Sequence, residues 1–319
     1  MQDDIGLLAK RIRLAYHELE LKAKAKRASS PGLVHAVTKS SPSFSVCAVD
    51  GGLLSQRMHG ADIVLVRSVS VNFVYEGSRI RSFSYHPRKS PEPRVEIMDS
   101  LDEHESAVFR SLVRLRDELA CAVSAVERFK PGYLLLDGSL LPLPSDRPPE
   151  GSILNSLYSE VISLHGKLRE ACGAIQCVLC GVIKDSRSKK ISRDLGFTVS
   201  DTLLCEYLLE AGERTTQVPY AEDKPAKDIA GLAAGVSVFY IKASEHDLPI
   251  RVETLGEDIP AVAEAIYALS AISDSYAYPA VLVEADMCAA MDGREMESIE
   301  SALISSGMRP LRRNARPFR

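Results

Sequence analysis

The chain has 319 residues, of which 45% are hydrophobic and 26% are charged, a balance typical of a globular protein with a buried core. Its formal net charge of −4 argues against a general nucleic-acid coat, although it is compatible with a local basic groove. No stretch approaches the roughly 18 to 20 apolar residues of a membrane span, and the charged, amphipathic start does not read as a signal peptide. We therefore expect an intracellular, cytoplasmic protein.

The first 28 residues carry apolar side chains at helical spacing, and the pattern breaks at SSPG around Pro31. This predicts an N-terminal helix followed by a linker. The apolar positions are Ile5, Leu8, Ile12, Ala15 and Leu19. Both ends of the chain are basic, and such ends either bind phosphate or a protein partner or are simply solvated. The basic residues at the C-terminal end are Arg309, Arg312, Arg313, Arg316 and Arg319.

From residue 44 the pattern changes to the alternation of β-strands. FSVCAVD (44–50), DIVLVRSVSVNFVY (62–75) and RIRSFSY (79–85) are joined by short connections, which predicts an antiparallel meander of three strands. SPEPR is expected to be a loop. Helical spacing returns from Ile97 to about Phe129, where KPG ends it.

A fourth strand is predicted at YLLLDGSL (133–140), then a helix from Ile153 to about Ala171 and a fifth strand at AIQCVLCGVIK (174–184). The resulting order, β-β-β-α-β-α-β, is the ribonuclease H-like arrangement, in which the first and fourth strands lie side by side. The fold class is therefore α/β, with a mixed sheet flanked by helices. In the strand at 174–184, Cys177 and Cys180 form a C-x-x-C. No second pair has zinc spacing, so we expect the cysteines to be reduced core thiols.

Beyond this core the sequence predicts a C-terminal extension with helices and one strand pair. The elements are a short helix at 201–210, strands near 235–243 and 249–255, a helix from Pro260 to about Ser273 and a last helix after Asp292. We expect one domain over residues 1–319, with an N-terminal helix at 1–30, the core at 44–185 and the extension at 186–319.

Two of the predicted strands share one form, an apolar run that ends in aspartate and glycine. FSVCAVDGG places Asp50 in this position, and GYLLLDGSL does the same for Asp137. Because burial of an unpaired carboxylate is costly, each aspartate is expected at a strand end that faces a cleft. Two such carboxylates on neighbouring strands need a cation between them, which predicts a divalent-metal site. The alternative is that Asp-Gly only begins a turn.

Five segments, taken in order, resemble the NurA family of archaeal and bacterial nucleases. They are AVDGG (48–52), LLLDGSLLPLP (134–144), GVIKDSRS (181–188), SDTLLCEYLLEAGE (200–213) and YPAVLVEAD (278–286). The resemblance implies a ribonuclease H-like core and manganese-dependent nuclease action, with magnesium as the alternative metal. It further implies 5′ to 3′ exonuclease and single-strand endonuclease activity, a ring-like homodimer, and partnership with the hexameric HerA translocase in DNA end resection.

The resemblance also assigns the carboxylates of the site. Asp50 and Asp137 match the metal-binding aspartates of the family, and Glu118 is the leading match for an acidic residue on the helix before the fourth strand. Glu105 and Asp117 are the alternatives for that position. Several carboxylates are needed because one metal ion activates water while another stabilises the leaving 3′ oxygen.

Residues after the fifth strand are the candidates for phosphate contacts. Lys184 can hold the scissile phosphate, although a lysine at a strand exit is also commonplace. Arg187 begins a basic segment that favours contacts along a DNA path. The rest of that segment is Lys189, Lys190 and Arg193. Asp201 falls in a family motif and also fits the N-cap of the following helix, so both roles remain open.

The chain departs from the family pattern at two positions. The first motif usually reads Asp-Gly-Ser, whereas Gly52 stands here in place of the serine. The last motif has a tyrosine followed eight residues later by a metal-site histidine, whereas Tyr278 is followed here by Asp286. Aspartate is itself a manganese ligand, so we expect Asp286 to be a third metal ligand that changes the charge of the site.

Three functions are compatible with these residues. The leading one is a metal-dependent DNA nuclease that acts with a translocase. The second is a catalytically weak or inactive subunit that binds DNA ends, and the third is a ribonuclease H-like enzyme with another phosphodiester substrate. The sequence contains no Walker-type phosphate loop, so any ATP-driven motion must come from a partner.

Overall fold

The structure is a computed structural model, and it describes residues 2–220 and 229–311. It divides into two compact units. The core unit comprises Ser43–Cys180, Ala221–Ala234 and Val281–Arg319, and the accessory unit comprises Met1–Pro42, Gly181–Tyr220 and Gly235–Ala280. The arginines at the basic C-terminal end from Arg312 onward lie outside the described residues. The single domain expected from the sequence stays a prediction.

The described elements alternate between strands and helices along the chain. The strands are β1 (Val34–Ala36), β2 (Ser45–His59), β3 (Ala61–Glu76), β4 (Arg79–His86), β5 (Arg94–Asp99), β6 (Tyr133–Asp137), β7 (Val178–Ile183), β8 (Glu213–Thr215), β9 (Val218–Pro219), β10 (Ser237–Lys242), β11 (Ile250–Thr254) and β12 (Arg309–Pro310). The helices are α1 (Gln2–Ser29), α2 (Glu103–Phe129), α3 (Asn155–Ala174), α4 (Lys190–Asp194), α5 (Asp201–Leu208), α6 (Ala230–Ala233), α7 (Ile259–Ser270), α8 (Ala280–Ala289) and α9 (Gly293–Ser305). None of the described helices is both long enough and apolar enough to cross a membrane.

The sheet of the core unit has the predicted strand order. β2 and β3 form a long antiparallel hairpin, and β4 continues the meander by pairing with the second half of β3. After the α2 crossover, β6 returns parallel to β2. The first and fourth predicted strands therefore lie side by side, and the ribonuclease H-like fold predicted from the sequence is confirmed.

The crossover helix α2 has clear start and stop signals. Asp102 is its N-cap and accepts a hydrogen bond from the backbone N–H of Glu105, while Lys130 ends it in the left-handed conformation with φ 46°. An apolar face between these ends packs on β2 and β3. Its buried members include Val108, Leu112, Leu119, Ala122 and Val126.

The structure corrects three expectations for the core unit. Residues 94–99 form strand β5 rather than a loop and the start of a helix, because their alternating side chains pair with the first half of β3. Asp50 does not end its strand, because β3 continues to pair with β2 as far as Met58. Helix α8, which carries Asp286, was not predicted from the sequence.

The accessory unit confirms the N-terminal helix and the strand pair of β10 with β11. β8 joins β10 to β1, and the second half of α1 packs on α5 through Leu19 and Ala23. Arg27 fixes the end of α1, because its guanidinium donates two hydrogen bonds of 2.8 Å to the carboxylate of Glu213. In contrast, apolar residues in the first half of α1 are exposed to solvent. They include Ile5, Leu8 and Ile12.

Asp62 fastens the start of α2 to β3. Its carboxylate is buried and accepts hydrogen bonds from the backbone N–H of Leu101 at 2.9 Å and from the hydroxyl of Ser106 at 2.7 Å. It also lies 3.0 Å from Nε of Arg57. This buried carboxylate therefore sets where the long helix α2 begins on the sheet.

We expect Asp62→Ala to lower the free energy of unfolding by about 3 kcal/mol, because a buried amide, a hydroxyl and a guanidinium lose their shared acceptor. Urea unfolding measures this loss. Asp102→Ala is the matched control at the same helix end, since it removes one exposed N-cap bond worth about 1 kcal/mol. Equal losses in the two variants would contradict the role given to Asp62.

Candidate active site

The parallel pairing of β2 with β6 brings two aspartates together. The register pairs Val49 with Leu136, so the next residues, Asp50 and Asp137, are neighbours on adjacent strands. Residues at matching positions of parallel strands point to the same face of the sheet. The side chain of Asp50 is held in place by a hydrogen bond of 2.8 Å from the backbone N–H of Gly51. The convergence of these two aspartates, expected from the sequence, is present in the structure.

Helix α2 brings a third carboxyl group, that of Glu118, to the opposite face of β2, against Gly51. A Cβ atom on Gly51 would lie 2.6 Å from Oε1 of Glu118, so the Glu118 side chain occupies the space that a side chain at position 51 would need. Oε1 of Glu118 is buried and has no hydrogen-bond partner among the described residues. The guanidinium of Arg114, one turn earlier on α2, lies 3.5 Å from it.

Helix α8 brings the fourth carboxyl group. A Cβ atom on Gly52 would lie 2.1 Å from the carbonyl oxygen of Ala289, so the end of α8 touches the backbone of β2. Because successive strand residues face opposite sides, α2 and α8 lie on opposite faces of β2. Asp286, nearly one turn before Ala289, lies near enough to Asp50 for the two carboxyl groups to interact. Asp286 is exposed, and the cluster therefore opens to solvent at α8.

Polar contacts hold α8 against the sheet. The carboxylate of Glu284 accepts a hydrogen bond from the hydroxyl of Tyr85 at 2.7 Å and lies 3.1 Å from Nζ of Lys89. At the other end of α8, the guanidinium of Arg67 donates to the carbonyl of Ala290 at 3.0 Å. These contacts fix the helix on both sides of Asp286. Glu284 lies within the segment YPAVLVEAD, but the sequence alone indicated no role for it.

Burial and neighbouring charges raise the pKa of two of these carboxyl groups, those of Asp50 and Glu118. Burial, then the charge of Asp137, raises the pKa of Asp50 to about 6, although the Gly51 N–H acts against this shift; Asp286 adds to it. Burial raises the pKa of Glu118 to about 8, with Arg114 opposing the shift and the two aspartates adding to it. A bound cation, like bound protons, reduces the repulsion between such carboxylates.

The donor set fits a hard divalent cation. Carboxylate oxygens suit manganese or magnesium, and the buried Oε1 of Glu118 is an acceptor without a hydrogen-bond donor. In residues 2–220 and 229–311, no group of three or more Cys, His, Asp or Glu side chains has the spacing of a completed metal site. A bound cation would therefore have to draw these carboxylates closer together.

The two alternatives to Glu118 have other partners. Glu105 accepts a hydrogen bond of 2.8 Å from the hydroxyl of Ser152. Asp117 is engaged by the guanidinium groups of Arg94 and Arg116. Of the three carboxyl groups proposed from the sequence, that of Glu118 lies against Gly51 of β2. Its catalytic role stays a prediction.

The other predicted site residues belong to the accessory unit. Nζ of Lys184 lies 4.4 Å from the ring centroid of Tyr278, and the hydroxyl of Tyr278 donates to the carbonyl of Val182 at 3.0 Å. The buried tyrosine thereby holds the lysine by a cation–π contact. Arg187 is exposed on the segment before α4.

Asp201 has a different structural role from the one expected. The N-cap of α5 is Ser200, whose hydroxyl accepts from the backbone N–H of Leu203. The buried carboxylate of Asp201 instead accepts hydrogen bonds from the backbone N–H groups of Lys190 at 3.0 Å and Ser192 at 2.7 Å. Asp201 thus caps the preceding helix α4, because that helix has no side-chain cap of its own.

We expect Glu118→Gln to stabilise the protein in the presence of a chelator, and increasingly so as the pH rises. The folded-state pKa is raised, so the folded state holds a proton that the unfolded state releases, and wild-type stability falls as pH rises from about 4.5 through about 8. The amide removes this loss. Thermal unfolding of both proteins at about pH 5 and pH 9 measures the difference.

Glu127→Gln, an exposed change on the same helix, is the matched control. A difference between Glu118→Gln and wild type that does not grow with pH would contradict the buried, proton-binding state of Glu118.

Comparisons with known proteins agree with this fold. A family model, the NurA domain, matches residues 44–290, whereas a comparison with curated proteins gave no match. The NurA nuclease from Sulfolobus solfataricus is 19% identical, with 96% of each chain covered and a TM-score of 0.68. A structure of NurA bound to dAMP and manganese is 12% identical, with 96% of each chain covered and a TM-score of 0.55. Since the family model spans most of the sequence, the chain belongs to the NurA family of nucleases.

Proposed function

We propose that this protein is a metal-dependent deoxyribonuclease that hydrolyses phosphodiester bonds at DNA ends. The observation that carries the proposal is the convergence of Asp50, Asp137 and Asp286, from β2, β6 and α8, with Glu118 of α2 near enough for the two aspartates to act on its charge. A protein that served only as a scaffold would gain nothing from this cluster, because its buried carboxyl groups repel one another. The repulsion is useful only where a cation binds.

Manganese is the proposed metal, with magnesium as the alternative. Asp50, Asp137 and Asp286 are the proposed ligands, with Glu118 completing the site, and the bound metal would supply Lewis acidity toward the phosphate. The related NurA structure bound to dAMP and manganese supports this choice. Gly51 N–H holds the carboxylate of Asp50 in a fixed orientation, so less ordering is needed when the ion binds.

The accessory unit is proposed to contribute the basic groups. Lys184, which Tyr278 holds in place, would offset negative charge on the scissile phosphate. The exposed side chains of Arg187, Lys189 and Arg193 would contact the DNA backbone. On the family resemblance we further propose 5′ to 3′ exonuclease and single-strand endonuclease action, together with a HerA-type hexameric translocase in DNA end resection.

A second function is a subunit that binds DNA ends and cleaves weakly or not at all. Two observations favour it. Asp286 replaces the neutral ligand that the family resemblance implies, and the carboxylates are spaced more widely than in a completed metal site. The two functions differ in one measurable respect, since only the nuclease releases nucleotides from labelled DNA when manganese is added.

We expect Asp50→Asn and Asp137→Asn each to lower cleavage by at least ~100-fold, because the loss of a shared ligand removes the Lewis acid. DNA binding should persist in both variants. The test uses end-labelled single-stranded and duplex DNA with manganese, magnesium or a chelator. Asp292→Asn is the control, since this N-cap of α9 keeps a capping side chain and lies outside the cluster. Wild-type rates in both site variants would refute the assignment. A wild type inactive with every metal would favour the binding subunit.

Asp286→Ala should weaken manganese affinity and reduce the rate by roughly ten- to a hundred-fold, the range for lost support of a metal site. Asp286→His should keep the activity, because imidazole also binds manganese. Manganese titrations of cleavage and calorimetry of metal binding measure both effects. An alanine variant that binds and cleaves like wild type would make Asp286 a bystander.

A homodimer is proposed from the exposed apolar face of α1, since such a face requires a covering surface. Sedimentation should show twice the chain mass at micromolar concentration. Leu8→Ser with Ile12→Ser should shift the protein toward the monomer, whereas Lys10→Ser, on the same helix, should not. A wild-type monomer under these conditions would contradict the dimer.

A further inference from the structure

We propose that Arg114 binds a phosphate oxygen of the nucleic-acid strand, and that a metal ion frees Arg114 for this contact by binding to Glu118. The inference rests on the proposed nuclease function and names a substrate-binding residue for it. The family resemblance assigned no role to Arg114, and its position on the sequence showed only that it stands four residues before Glu118. The structure places its guanidinium beside the carboxyl group of Glu118.

The contact between Arg114 and Glu118 is close, but it is not a hydrogen bond. Nη1 of Arg114 lies 3.5 Å from Oε1 of Glu118, longer than a charge-assisted hydrogen bond, and Oε1 remains without a hydrogen-bond partner among the described residues. The side chain of Arg114 is 41% exposed, against 13% for Glu118. The guanidinium therefore lies beside Glu118 without being locked to it.

Other arginines of the core unit show what a structural ion pair looks like here. Nη2 of Arg116 lies 2.8 Å from the carboxylate of Glu96, and its side chain is only 15% exposed. Nε of Arg57 lies 3.0 Å from Asp62, with 21% exposure. Arg114 is both farther from its acid and more exposed than either of them. Its position is typical of a side chain that can exchange partners.

A metal ion would change the electrostatic balance around Arg114. A cation that binds Glu118 neutralises the charge of the carboxylate and repels the neighbouring guanidinium. The guanidinium is then no longer held at Glu118. A phosphate would meanwhile have to approach a cluster of four carboxyl groups, and a mobile positive charge at its edge offsets that repulsion. The planar guanidinium can then donate two parallel hydrogen bonds to phosphate oxygens.

Arg110 extends the same stripe of α2 by one turn. Residues four apart on a helix lie on one face, about 6 Å apart along the axis. Arg110 and Arg114 therefore form a short basic track that leads along α2 to Glu118. A single strand whose backbone followed this track would bring successive phosphates to the carboxylates.

The experiment compares Arg114→Gln with Arg128→Gln, an equal change of charge at an exposed position near the end of the same helix. DNA binding is measured by fluorescence anisotropy on a single-stranded oligonucleotide with calcium in place of manganese. Arg114→Gln should weaken binding by about ten- to a hundred-fold and reduce the slope of log affinity against log salt by about one. Calorimetry without DNA should show manganese binding unchanged or tighter, because a like charge has been removed.

A neutral methylphosphonate placed next to the cleavage position identifies the phosphate. This substitution should weaken wild-type binding but have little further effect on Arg114→Gln, since the same contact is already lost. Weaker manganese binding together with weaker DNA binding would mean that Arg114 only supports the structure, and would overturn the inference. Equal behaviour of the two variants, with wild-type DNA binding and cleavage intact, would overturn it while leaving the proposed function in place. A wild type that neither binds nor cleaves DNA would overturn both.

Discussion

The parallel pairing of β2 with β6 is the constraint on which the candidate site depends. Its register leaves Asp50 beside Asp137, on strands only about 4.8 Å apart. The pairing is possible because α2 crosses over from the meander and packs its apolar face on β2 and β3. Asp62 fixes where that helix starts. A shift of one residue in this register would send one aspartate to the opposite face of the sheet and abolish the pair.

The same place on β2 shows a conflict between stability and function. Gly52 gives up a side chain so that α8 can approach, and Gly51 leaves space for the side chain of Glu118. Burial, then the charge of Asp137, raises the pKa of Asp50, and Asp286 of α8 adds to this shift. The protein keeps a buried, unpartnered acceptor in Glu118, which costs stability at neutral and alkaline pH. The tight contacts around α8, through Glu284 and Arg67, offset part of that cost by fixing the helix.

The sequence predicted those parts of the fold in which local pattern and tertiary contacts agree. FSVCAVDG and YLLLDG read as strands with carboxylates, and both proved to be neighbours. Residues 94–99 were misread, because their partner in the first half of β3 lies some thirty residues earlier along the chain. Glu118 was preferred over Asp117 only by resemblance, and the distinguishing feature, contact with Gly51, is three-dimensional. Asp201 was expected at the N-cap of α5, but it lies one position later. Its carboxylate accepts a hydrogen bond from the backbone of α4 and not from its own helix.

The two departures from the family pattern have a common geometric explanation. With glycine at position 52, the carbonyl of Ala289 occupies the space that a Cβ atom would need, so α8 reaches the backbone of β2. A serine there would hold the helix farther away, and a longer side chain than aspartate would then be needed to reach Asp50. Because the helix lies so close, the short side chain of Asp286 is near enough to act on Asp50. Gly52 and Asp286 therefore compensate for each other. A larger residue at position 52 would require a longer side chain at position 286 to reach Asp50.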